Sequence, residues 1–126
     1  MMVDIEAVLV AWLEAAIPGV HASTETPPDL DDRLPWVQVT RLGGPYDGFR
    51  RDQPTVDIAA YAASRPAASQ LAQQVQEALH TRLWGATVGG AVVSRVETRT
   101  GPHWVPYDNP NVRRYEATYA FVIHPA

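Results

Sequence analysis

The chain has 126 residues, a formal net charge of −4, eleven prolines, four histidines and no cysteine. That length predicts one domain, residues 1–126, burying a little under about 70% of the surface its unfolded form exposes, so one core suffices without disulfides or a structural metal. Without cysteine there is no thiolate nucleophile, disulfide framework or cysteine-based zinc or iron–sulfur site. All ten cations are arginine, which removes Schiff-base and P-loop lysine chemistry; a compositional bias of the source accounts for that choice. An acidic chain lacks the phosphate-neutralising footprint of a dedicated nucleic-acid binder.

Acids stand near the N-terminus where a secretory signal carries positive charge, and no apolar run reaches membrane-spanning length. A soluble, unexported polypeptide is therefore expected, with no membrane partner. Ile5, Val8, Leu9, Trp12, Leu13 and Ala16 share one helical face, predicting a first helix over residues 4–16. Asp4 is placed to cap it, Glu6 to sit favourably in its first turn, and Pro18-Gly19 to stop it. Residues 20–24 are expected as a short strand, and 26–35, with three prolines and three aspartates, as a loop.

The alternating stretch Trp36 to Leu42 and its counterpart Thr55 to Ala63 predict two strands. Their connection, residues 43–54, is too long for a tight turn, so an antiparallel hairpin with a projecting tip is expected. A second helix should open at Ser64-Arg65-Pro66 and run to about Trp84, burying Leu71, Ala72, Val75, Ala78, Leu79 and Leu83. Residues 91–100 and 113–124 alternate as two further strands. The order α-(β)-β-β-α-β-β predicts an α+β domain, a mainly antiparallel sheet with both helices on one face.

Candidate chemistry is sparse. His21, His80, His103 and His124 include no His-x-His and no pair one helical turn apart; the alternatives are four ordinary histidines or a composite site built only in three dimensions. Asp29, Asp31 and Asp32 cluster, but without the glycine and terminal glutamate of a calcium loop. They read best as capping residues of a solvated loop. No serine has a Gly-x-Ser-x-Gly context, and neither Gly43-Gly44 nor Gly89-Gly90 belongs to a phosphate-loop motif. Neither an enzyme nor a cofactor is expected, and no metal site is assigned.

What stands out is the concentration of aromatics, prolines and arginines in two segments. The first is Tyr46, Asp47, Phe49, Arg50, Arg51 and Asp52; the second runs from Pro102 to Arg114 and holds Trp104, Tyr107, Arg113 and Arg114. Tyr, Trp and Arg combine large contact area with a polar handle and are enriched at protein interfaces. Two uses are open: folding back onto the same domain, or contact with another subunit.

The layout resembles the tail terminator, or tail completion, proteins of long-tailed bacteriophages over nearly the whole chain. The resemblance rests on the helix opening Val3-Asp4-Ile5-Glu6-Ala7-Val8, the Pro35-Trp36-Val37-Gln38-Val39 strand, and a Gly-Gly-Pro loop before Val56-Asp57-Ile58-Ala59-Ala60-Tyr61. It continues in the Ala/Gln-rich second helix and ends in Arg113-Arg114-Tyr115-Glu116-Ala117-Thr118-Tyr119. The order of these features carries it, since none is a catalytic fingerprint. It implies a structural virion protein, made in the host cytoplasm and placed at the head-proximal end of the tail. There a homo-hexameric ring would sit on the tail tube protein, end tube growth and face the head-tail connector protein.

A domain of this length has a radius of gyration of about 14 Å and a diameter of roughly 35 Å. Six such spheres in a ring leave a hole wide enough for duplex DNA, which an acidic lining would let pass without specific binding. Ring closure needs head-to-tail contacts between different patches of each subunit, and the segments Tyr46 to Asp52 and Trp104 to Arg114 are expected to supply much of that surface. Two alternatives are a head-tail connector or head-completion protein, and a small ligand-binding module with a pocket built by His103, Trp104 and Asp108.

Overall fold

The computed structural model describes residues 3–126. Helix α1 spans Ile5–Ala16, and the Asp4 carboxylate caps it by accepting the backbone N–H groups of Glu6 and Ala7. Strand β1, His21–Ser23, is followed by a 3-10 turn at Leu30–Asp32 and then by β2, Trp36–Arg41, and β3, Thr55–Ala62. Helix α2, Arg65–Ala78, starts at a Ser64 cap with Pro66 in its first turn, where the missing N–H costs least. It continues into a π-helical turn, Leu79–Leu83, closed by a bond from the Trp84 N–H to the Leu79 carbonyl. Short β4, Thr87–Val88, and long β5, Ala91–Trp104, and β6, Arg113–Pro125, complete the chain.

The strands form one six-stranded sheet in the order β1-β2-β3-β6-β5-β4. Both helices pack on one of its faces, as the α+β reading expects. Ile5, Leu9 and Leu13 of α1 and Leu71, Val75, Leu79 and Leu83 of α2 meet Val37, Val39, Val56, Ile58, Val93, Val96, Tyr119, Phe121 and Ile123. Burying each large apolar side chain contributes about 1.5–3 kcal/mol. The strands therefore alternate, and the second face is left to polar residues except at one end. There Leu30, Ala59, Tyr61 and Val112 form a smaller cluster, bordered by Leu34, Trp36 and Tyr107, under the loops after β1 and β5.

Three details differ from the sequence expectation. The pairing of β1 with β2 is parallel, because the connection over residues 24–35 returns the chain to the end of the sheet from which β1 started. The second helix ends in a π turn, with Leu79 and Leu83 both facing the core as their spacing predicts. Strand β5 runs on to Trp104 although Gly101-Pro102 reads as a break. Register shifts on either side of Thr100 absorb those residues, and His103 and Trp104 pair again with Glu116 and Tyr115.

Tyr119 is fully buried in this core, and its hydroxyl has no hydrogen-bond partner among the described residues. Burial alone drives its ionisation above the ordinary phenol value. An unpartnered buried hydroxyl costs about 1–3 kcal/mol. Tyr119→Phe should therefore leave stability unchanged or raise it, read as an equal or higher urea midpoint; a clear drop would mean that the hydroxyl has a partner in solution.

Candidate assembly interface

The β2–β3 connection begins with Arg41, the last residue of β2. Its guanidinium donates two 2.7 Å bonds to the two carboxylate oxygens of Asp52, and its Nε donates to the Gly43 carbonyl at 3.1 Å. The Arg41 backbone N–H is taken by the Glu6 carboxylate at 2.9 Å, which ties this corner to α1. Asp52 is 2% exposed and exchanges two 2.9 Å backbone bonds with Ile123, so the returning limb of the loop is stitched onto β6. The hydrogen bonds and charge of Asp52 hold the Arg41 guanidinium above even its usual range. At Gly44 the backbone has φ +110°, and a Cβ there would collide with the Gln53 carbonyl on the other limb.

Beyond this latch the tip is built around Asp47. One of its carboxylate oxygens accepts the backbone N–H groups of Phe49, Arg50 and Arg51 at 2.9, 2.9 and 3.0 Å. These bonds, Phe49 first and then Arg51, lower the Asp47 pKa from its ordinary 3.8. The Tyr46 hydroxyl adds a bond to the Phe49 carbonyl at 3.2 Å. The ordered turn presents Phe49, 79% exposed, with Tyr46 exposed beside it and Leu42 exposed at the base of the hairpin. Arg50 contacts the His124 ring at 2.9 Å. Arg51 reaches a cleft of about 330 Å³ on the polar face of the sheet, lined also by Arg95, Glu97 and Arg99.

The second sequence-predicted segment is placed differently, and its members do not converge on the hairpin tip. Trp104 turns to the helix side, stacked edge-on against Tyr115 at 6.0 Å with the Arg65 guanidinium 4.6 Å over its ring. Tyr107 turns to the opposite face and meets Tyr61 edge-on at 5.2 Å. Arg114 covers Tyr107 and donates to the Pro106 carbonyl at 2.7 Å, while Arg113 donates to the Pro110 carbonyl at 2.6 Å. These four side chains thus hold the 105–112 loop against its own domain.

Asp52 likewise spends its carboxylate on Arg41. Tyr46, Phe49, Arg50 and Arg51 remain at the surface. The spacing of the histidines does not rise to a site either: among the described residues no three His, Asp or Glu side chains converge as metal ligands. Sequence reasoning passed over Arg95 and Arg99, whose signal was an arginine pair on the outward positions of an alternating strand.

A family model described as phage tail termination protein matches residues 1–126. The chain belongs to that family. A chain in the solved virion of a native gene transfer agent (GTA) particle is also similar, with TM-score 0.50 and 14% identity over 94% of this chain and 85% of that one. At that identity the likeness shows a shared fold. A search of curated proteins returns no match. The tail termination family is one of structural phage tail proteins and not of enzymes, and no helix among the described residues is long and apolar enough to cross a membrane.

Two outcomes follow from this geometry. Asp52→Ala leaves Arg41 without its partner at a site where both side chains are largely buried, so unfolding in urea should show a loss of about 3 kcal/mol, whereas Phe49→Ala should shift stability by less than about 0.5 kcal/mol. The order that Asp47 imposes on the tip should be fully present above the ordinary carboxylate value of 3.8 and be lost as pH falls through its depressed folded value. The amide resonances of Phe49, Arg50 and Arg51 report this directly, and Asp47→Asn should abolish their common titration.

Proposed function

We propose that this structural tail protein caps the tail tube as a homo-hexameric ring, ends tube polymerisation and offers the surface to which the head-tail connector protein joins. The observation that carries the reading is the hairpin tip. It is an ordered, latched projection whose aromatic and arginine side chains lie outside the core, which is how a protein presents an anchor to a partner. Family membership supports the tail as the place where that partner is found.

In this reading Tyr46, Phe49, Arg50 and Arg51 make contacts between neighbouring copies or with the tail tube protein. Trp104, Tyr107, Arg113 and Arg114 shape the 105–112 loop at the other end of the sheet, and their outer edges offer a second contact surface. Asp47 and Asp52 keep the projection in one conformation, so little ordering entropy is lost on association. The ring surrounds a passage through which DNA moves without specific binding, consistent with the acidic balance of the chain.

Replacing Phe49, Arg50 and Arg51 together by alanine tests this. The variant should fold as the parent does, yet fail to form hexamers by native mass measurement with tail tube protein present, and leave tubes of uncontrolled length in electron micrographs. Normal rings and tubes of set length would overturn the proposal. A strict monomer that instead retains a metabolite would favour a ligand-binding module.

A further inference from the structure

Charge is divided along this chain in a way its net value hides. Residues 1–32 contain seven carboxylates and no arginine, and the rest contains ten arginines against seven carboxylates. The fold converts that division into two separated surfaces. Strand β1 and the loop after it, with Glu25, Asp31 and Asp32 exposed, form one edge of the sheet, while Arg95 and Arg99 project from β5 near the other edge. Four strand spacings of about 4.8 Å put some 19 Å between β1 and β5. The two surfaces are thus too far apart to neutralise each other within one molecule.

The arginine surface is the open sheet face beneath the hairpin tip, where Arg51, Arg95 and Arg99 line the cleft. The one acid lining that cleft, Glu97, stands 3.9 Å from Arg95 and 3.6 Å from Arg99 and cannot balance all three cations. Phe49 forms an apolar point beside it. The acidic surface has the matching order of chemistry: Pro27 and Pro28 come first, then Asp31 and Asp32, neither of which has an ion-pair partner among the described residues. Asp29 is held by Arg33.

We infer that the open β5–β6 face receives the acidic, proline-bearing 25–32 loop of a second copy of this chain, with Phe49 against the prolines and Arg51, Arg95 and Arg99 facing Asp31 and Asp32. Different patches meet in this contact, so it is head-to-tail, the class that closes rings. Planar guanidinium groups suit carboxylates at such a seam because they donate in pairs. The pairing presupposes the ring proposed above and adds which surface meets which.

The absence of cysteine makes a direct test available. Pro28→Cys and Ser94→Cys stand beside the charged groups without removing any of them. An equal mixture of the two variants, assembled with tail tube protein and mildly oxidised, should give a disulfide-linked dimer that neither variant gives alone. In the second arm Arg95→Glu with Arg99→Glu should weaken assembly at least tenfold, and adding Asp31→Arg with Asp32→Arg should restore it. Hexamers that form without the mixed disulfide, or charge-reversed rings that match the parent and lose only DNA binding, would overturn the pairing while leaving the ring intact. Failure of the parent itself to form rings would overturn both.

Discussion

Both helices of this protein cover the same face of one sheet, and most of its other properties descend from that asymmetry. A sheet with one dry face has to alternate, which fixes the register of β2, β3 and β6 against one another. Because the second face is not roofed by helices, it is free for loops, and two of them settle over one end around Tyr61 and Leu30. The long β2–β3 hairpin occupies the opposite end. The polar centre between them stays open, with Asp57 accepting a short hydrogen bond from Thr118 across adjacent strands.

The hairpin would be an ordinary mobile loop were it not for two carboxylates with different tasks. Asp52 is sunk into the protein and saturated by Arg41, so it anchors the base of the projection. Asp47 is at the surface and gathers three backbone N–H groups, so it shapes the tip. Backbone polarity is satisfied locally, and the side chains of Phe49 and Arg51 are left outward. A rigid display of this sort separates folding from presentation: the residues that hold the tip are not those it leaves exposed.

Much of the fold was legible in the residues because periodicity is a local signal. The 3.6-residue spacing in α1 and α2 and the alternation in β2, β3 and β6 gave those elements to within a residue or two. The parallel pairing of β1 was not legible, since it depends on where a twelve-residue connection returns. Nor was the extension of β5 through Gly101-Pro102, where bulges in β5 absorb the extra residues and pairing with β6 resumes beyond the local break. Among the site residues, sequence located the exposed hairpin tip but could not tell an aromatic that anchors a loop from one that is displayed. Tyr107 and Phe49 look alike in composition, and only the third dimension sets Tyr107 against Tyr61 and leaves Phe49 in solvent.

The two outer strands of the sheet are very short: β1 has three residues and β4 has two. β4 pairs only with Ala91 and Val92, so the outer edge of β5 beyond Val93 is left without a neighbouring strand. The register shifts along that stretch and the charges of Arg95, Glu97 and Arg99 are the devices that discourage a second chain from adding there. Contact between copies is then left to side-chain patches with their own shape and charge.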